Sequence, residues 1–291
     1  MTTITVSSGV TSSGLTVSSG NELLVLSGGI AETMTVLSGG TMILSSGAIG
    51  SSLAISAGGK LDGAGEWAGE GYSYGQVSGV TVGDSAETHA GYLEVAFGGS
   101  ASGVTVAYGW LQVDPGATAT GTVLSGISAV EYVEGVASGT VVDSGGVDNV
   151  LSAAEAVSAV IHSGGREFVS SGGSTSVSVV QSGGSLTLSA GAVGSLLTIS
   201  AGGKLVGAGE LVNYISEDAG QVSGVMLGQT AETDAGYLEV QSGGSASGVS
   251  IDYGYLELDA GGTTTGTVVS GSESTNFVFG VASGTFRFRR Q

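Results

Sequence analysis

The sequence predicts an all-β fold, a right-handed parallel β-solenoid (β-helix) of about 14 or 15 rungs. Three observations predict it. The chain is duplicated end to end, each copy carries a shorter period of 18–20 residues, and each period alternates β-type runs with glycine-rich turns.

The duplication is read from exact recurrences. Ile55-Ser-Ala-Gly-Gly-Lys-Leu61 returns at Ile199 to Leu205, 144 residues on. Gln76–Val80, Ala90–Val95 and Gly135–Thr140 have counterparts at Gln221–Val225, Ala235–Val240 and Gly280–Thr285, each 145 residues on. One residue is therefore inserted between Leu205 and Gln221. Residues 1–145 and 146–291 are read as two solenoid copies in one continuous rod.

The short period sets the strands. Gly91-Tyr-Leu-Glu-Val95 is followed 18 residues later by Gly109-Trp-Leu-Gln-Val113, and Gly236-Tyr-Leu-Glu-Val240 by Gly254-Tyr-Leu-Glu-Leu258. Alternation sends Leu93, Val95, Leu111 and Val113 to one face, with Leu238, Val240, Leu256 and Leu258 as their counterparts. Tyr92, Glu94, Trp110 and Gln112 take the other face. Two or three such strands bury the apolar face by winding around their own axis. Successive rungs then stack about 4.8 Å apart, for a rod of about 70 Å.

Composition supports the turns. The chain has 56 Gly and one Pro in 291 residues, without the every-third glycine of collagen. Hydrophobic residues make up 41% and mean hydropathy is positive, which argues against disorder. Asn-Gly hairpin signals are absent, which weighs against an antiparallel sandwich. No apolar run reaches the length of a membrane-spanning helix, so no membrane insertion is expected.

Charge narrows the partners. With 25 acidic and 6 basic residues the formal net charge is −19. That excludes the basic footprint of a nucleic-acid binder and disfavours an anionic membrane surface. Cysteine is absent, so disulfides and thiol chemistry are excluded.

The sequence predicts no catalytic residue, no cofactor and no metal site. His89 and His162 are the two histidines and occupy different repeat positions. Asp234 replaces His89 in the second copy, so the duplication does not preserve a histidine ligand. Among the many serines nothing singles out a nucleophile. Glu94 and Gln112, and Glu239 and Glu257, are expected side by side on adjacent rungs, where stacked like charges repel. They read as a solvated outer face, and the chain as non-enzymatic.

Outward aromatics form the candidate lateral or ligand surface. Tyr92 and Trp110 are expected to stack, as are Tyr237 and Tyr255, with Tyr132 and Phe277 extending the ladders. Such ladders suit sugar rings or a protein face. Residues 61–76, with Trp67, Tyr72 and Tyr74, break the rung pattern, as do residues 205–221. Both segments read as protruding recognition loops.

Ser27-Gly-Gly-Ile-Ala-Glu-Thr-Met-Thr-Val36, Ser182-Gly-Gly-Ser-Leu-Thr-Leu188 and Ser242-Gly-Gly-Ser-Ala-Ser-Gly-Val249 resemble the strand–loop–strand passenger repeats of AIDA-type autotransporter adhesins. The resemblance spans most of the chain. It implies a surface-displayed β-helix, often O-glycosylated on repeat Ser and Thr, that binds glycans or cell-surface components. The sequence lacks the signal peptide and translocation barrel of that family. In architecture alone it is also similar to bactofilins, cytoplasmic solenoids that polymerise end to end.

Both ends read as uncapped strands, a template for edge pairing. Three of the six basic residues, Arg287, Arg289 and Arg290, alternate with Phe286 and Phe288 at the C-terminus. These five are expected to dock on Thr3, Ile4 and Val6 of a neighbouring copy. The primary functional expectation is therefore a structural rod that self-assembles into filaments or arrays, cytoplasmic if the chain is complete. The alternative is a secreted or surface-displayed adhesin module that binds glycans or cell surfaces.

Overall fold

The computed structural model describes residues 2–228, 235–271 and 274–287. For residues 214–216 and 287 only the backbone is described. The chain divides into two compact units. Unit 1 is Met1–Val141 with Gly145–Asp148, and unit 2 is Val142–Ser144 with Asn149–Gln291.

Within each unit every turn of chain contributes a strand to each of three parallel sheets. In unit 1 the first turn places Thr2–Val6 in the first sheet, Thr11–Ser13 in the second and Thr16–Val17 in the third. Each pairs in parallel with its equivalent one turn on: Asn21–Val25, Ile30–Glu32 and Thr35–Val36. The fold is thus the parallel β-solenoid that the periodicity predicts, with three strands per rung.

The length of each turn is legible in the register of the first sheet. Successive partners such as Thr2↔Asn21, Glu22↔Thr41 and Thr41↔Lys60 are 19 residues apart. Then Lys60↔Gln76 spans 16, Gln76↔Ser100 spans 24, and Ser100↔Thr118 and Thr118↔Val136 span 18 each. Unit 2 repeats the sequence 16, 24, 18, 18 at Glu210↔Met226, Met226↔Ser250, Ser250↔Val268 and Val268↔Phe286. The duplication therefore copied the irregularities as well as the strands.

Alternation fills the interior. Leu93, Val95, Leu111, Val113, Leu238, Val240, Leu256 and Leu258 are fully buried, as the strand pattern predicts. The corners turn on glycine. Gly28 adopts φ +75 after Ser27, and its N–H donates to Gly47 O at 2.8 Å while its own carbonyl accepts from Gly9 N–H at 2.8 Å. These turn-to-turn bonds stack the corners as well as the strands. At Gly109, φ is +127 and a Cβ would stand 1.9 Å from Gly91 O, so the backbones of adjacent rungs leave room for hydrogen alone.

Two expectations are corrected. Residues 61–76 do not protrude as a loop: Glu66–Ser73 is one eight-residue strand. Its first half pairs in the second sheet with Ile49–Ser51, and its second half in the third sheet with Gly91–Val95. Gly69, at φ +67, turns the corner inside the strand. Trp67 and Ala68 are both buried where the strand crosses between sheets, so Trp67 is interior and not part of any surface. Residues 205–221 likewise hold the strands Lys204–Val206, Glu210–Leu211, Asn213–Asp218 and Gln221–Ser223.

The second correction concerns Tyr132. It pairs in register with Gln112, and Val130 pairs with Trp110, so Tyr132 does not extend the Trp110 column. The shift follows from Glu131, which points inward beside Leu111 and is fully buried. Thr122 and Thr140 hydroxyls donate to its two carboxylate oxygens at 3.1 and 3.0 Å, which satisfies the charge inside the core.

Candidate functional site: a groove on the third sheet of unit 1

The groove arises from a change in strand length. In the third sheet, Thr16–Val17, Thr35–Val36 and Ala54–Ile55 are two residues long. From residue 69 onward the strands of this sheet are five residues long: 69–73, Gly91–Val95 and Gly109–Val113. Small side chains on the short strands meet large ones on the long strands, and a step results. Its cavity is about 520 Å³, and its lining includes Thr35, Leu53, Ala54, Tyr72, Tyr92 and Glu94. A second recess of about 360 Å³ continues it between Glu70, Ala90, Tyr92 and Trp110.

Strand register arranges the outward side chains in two columns. Glu70, Tyr92 and Trp110 form one, and Tyr72, Glu94 and Gln112 the other. Aromatic and acidic groups therefore alternate both along and across the strands. Tyr72 is 47% exposed and Trp110 44% exposed, while Tyr92 is half-buried. Tyr74 meets Tyr72 edge to face, with ring centroids 5.8 Å apart. Gln112 donates to Glu134 at 2.9 Å.

The electrostatics follow from crowding of acids at a partly dry face. Burial, and next the Asp114 carboxylate, push the Glu94 carboxyl above its ordinary range. Burial also raises the Tyr92 phenol, with Glu94 adding to it, and the phenol donates to Glu94 Oε2 at 3.5 Å. The site thus presents neutral ring faces and carboxylate acceptors without a basic residue in its lining. It is built to accept hydrogen bonds from a neutral, hydroxyl-rich ligand.

Unit 2 carries a related surface without the same groove. Tyr237 and Tyr255 are in register, as are Glu239 and Glu257. The Tyr237 hydroxyl donates to the Glu257 carboxylate, so the expected acidic pair is divided. Burial, and next Asp259, raise the Glu239 carboxyl. Phe277 stands in register with Glu257, yet its ring stacks on Tyr255 at 6.3 Å and 18° between planes, so it does extend that ladder.

The expected docking residues are only partly described. Thr3 and Ile4 are exposed, and Thr3 donates to Glu22 at 3.4 Å. Val6 is buried and offers nothing to a neighbour. Phe286 is exposed, while Phe288, Arg289 and Arg290 lie outside the described residues. Sequence reasoning also missed a cluster: Glu66, Asp84 and His89 converge beside the smaller recess. The signal was available in the 24-residue turn, whose surplus length is the loop at residues 83–90.

No family model and no curated protein sequence matches the chain. Solved structures do. A crystal structure of a TibA fragment hyper-glycosylated by TibC is 27% identical over 97% of this chain and 94% of its own, with a TM-score of 0.45. The A-module of the Azotobacter vinelandii mannuronan C-5 epimerase AlgE6 is 11% identical over 99% of this chain and 91% of its own, with a TM-score of 0.24. At these scores neither superposition bears on function.

Proposed function

We propose that the chain is a non-enzymatic, surface-displayed solenoid module of the AIDA-type adhesin kind, and that the unit 1 groove binds carbohydrate. The observation that carries this reading is the groove itself: exposed ring faces of Tyr72 and Trp110 alternate with the carboxylates of Glu70 and Glu94. Aromatic faces pack against the apolar faces of sugar rings, and carboxylates accept from their hydroxyls. The corners offer a second feature of such a module. Ser8, Ser27 and Ser46 recur at one corner and Ser19 and Ser38 at another, spaced by whole turns, with Ser8, Ser19, Ser27 and Ser38 exposed. These hydroxyl columns are the acceptors expected to carry O-linked sugar, which an intact-mass measurement on natively produced protein detects.

A glycan array probed with the full chain tests the reading. Neutral oligosaccharides are expected to bind. Trp110→Ala and Tyr72→Ala are each expected to weaken binding about tenfold, the loss of one stacking contact of 1–2 kcal/mol. Both side chains are largely exposed, so the fold is retained. Absence of binding, or binding indifferent to both substitutions, sinks the reading.

Self-assembly is the second reading, and apolar exposure in the last turn of unit 2 favours it. Phe279 is 69% exposed, and Val278, Val281 and Phe286 are exposed with it. A second copy stacked on that turn covers them, continuing the parallel ladder. Sedimentation velocity across a hundredfold concentration range separates this from a monomeric binding module.

A further inference from the structure

The loop at residues 83–90 joins Thr81–Val82 to Gly91–Val95, a corner that one turn later needs only Ala107 and Tyr108. Asp84 folds it. Its Oδ1 accepts from the N–H groups of Thr88 at 2.7 Å and His89 at 3.1 Å, and its Oδ2 accepts from the Thr88 hydroxyl. The fold-back brings His89 Nδ1 to 3.5 Å from Asp84 Oδ2 and 3.5 Å from Glu66 Oε1. Glu66 reaches the spot from the rung below, in register with Thr81. Its Oε1 is shut off from solvent and accepts no hydrogen bond, although burial acts against a bare carboxylate there. The ligand atoms of all three side chains lie within 4.8 Å of one another.

We propose that Glu66, Asp84 and His89 bind one divalent transition-metal ion of the zinc type through Glu66 Oε1, Asp84 Oδ2 and His89 Nδ1. Zinc holds nitrogen and oxygen ligands at about 2.0–2.2 Å, so tetrahedral ligands stand about 3.4 Å apart. Two of the three edges already have that length. The third closes by side-chain rotation, because His89 and Asp84 sit on a loop. One imidazole with two carboxylates selects zinc-like ions over calcium and magnesium, which take oxygen ligands alone. Three protein ligands leave a fourth position for solvent, on the side where His89 is exposed. The metal neutralises the shielded Glu66 oxygen and ties the loop to the strand Glu66–Ser73, next to the recess lined by Glu70, Ala90 and Trp110. In the second copy the matching sequence positions are Glu210, Gln229 and Asp234, which removes the histidine and one carboxylate. One site per chain is expected. The rival occupant is a proton, with imidazolium at His89 pairing to both acids.

Isothermal titration of the chelator-stripped full chain with zinc chloride at pH 7.5 decides between them. One ion per chain is expected to bind, and excess calcium is expected not to displace it. His89→Ala and Glu66→Gln are each expected to weaken binding about tenfold or more. His162→Ala is expected to leave it unchanged, because His162 meets only Asp143, at 2.6 Å. Cobalt substitution should give the visible absorption of a four-coordinate nitrogen–oxygen site, and His89→Ala should abolish it. His89 is exposed, so its loss does not threaten the fold even if Glu66→Gln does. Zinc binding that is absent, or that survives His89→Ala and vanishes in His162→Ala, overturns the proposal.

Discussion

Trp67→Ala is expected to destabilise unit 1 by about 3–5 kcal/mol, the usual cost of emptying a fully buried large aromatic site. Trp67 is 0% exposed and is the largest fully buried side chain. Its ring fills the space beside Gly71, where an added Cβ would stand 2.5 Å from Cζ2. Its indole N–H donates to the Tyr92 carbonyl at 3.0 Å, so alanine also leaves that acceptor without its partner, adding about 1 kcal/mol. The bond holds the strand that presents Tyr92 to the groove. Glycan binding should therefore weaken together with stability, whereas Trp110→Ala should weaken binding alone. The two tryptophans of the chain are both in unit 1, so fluorescence of the remaining Trp110 follows unit 1 during urea unfolding. A cost below about 1 kcal/mol would show that the crossing at residues 66–73 is not held by this ring.

Trp67 also shows where reading from the sequence stops. Where rungs alternate strictly, register was legible to the residue: Tyr92↔Trp110, Leu93↔Leu111 and Glu239↔Glu257 are partners as the 18-residue spacing requires. Glu66-Trp-Ala-Gly-Glu-Gly-Tyr-Ser73 does not alternate, because its strand changes sheets midway and buries two consecutive residues. A two-residue period cannot express a corner inside a strand, so the segment looked like a loop. The Tyr132 column failed for another reason. Acids are assigned outward by default, and Glu131 points inward because two threonines from neighbouring rungs receive it. Satisfying partners 9 residues away on either side leave no local trace. The aromatic groove was half legible. Its columns follow from period, but its depth comes from the step between two-residue and five-residue strands, which only the register reveals. The Glu66–Asp84–His89 cluster joins residues 18 and 23 apart in sequence by way of an inserted loop, a spacing that matches no recurrent ligand motif.

The duplication supplies its own control for buried charge, and it predicts that Asp218→Ser stabilises unit 2. Asp218 is fully buried between Ile199 and Val240 in register. Gly220 N–H donates to its Oδ1 at 2.7 Å, and its Oδ2 has no hydrogen-bond partner. The matching residue of the first copy, 145 positions earlier, is Ser73, equally buried, whose hydroxyl accepts from Gly75 N–H at 3.2 Å. Serine thus performs the same capping role without a second oxygen to leave dry. Burial pushes the Asp218 carboxyl from 3.8 up to about 7, with the Gly220 bond opposing it. The folded state therefore binds this proton more tightly than the unfolded chain. That interaction is fully present below the unfolded value near 3.8 and is lost as pH rises through about 7. Above that, deprotonation costs about 4 kcal/mol relative to acid, at about 1.4 kcal/mol per unit. Glu167 is displaced in the same direction by burial, so wild-type unit 2 should weaken between pH 4 and 7.5. Asp218→Ser should remove most of one contribution. At pH 4 variant and parent should be nearly equal in stability, and by pH 8 the variant should lead by several kcal/mol. Hydrogen exchange at the amides of residues 199–203 and 218–223 reads the difference locally. A gain equal at both pH values would assign the effect to packing, and a loss at pH 8 would show that the carboxylate is needed where the first copy does without it.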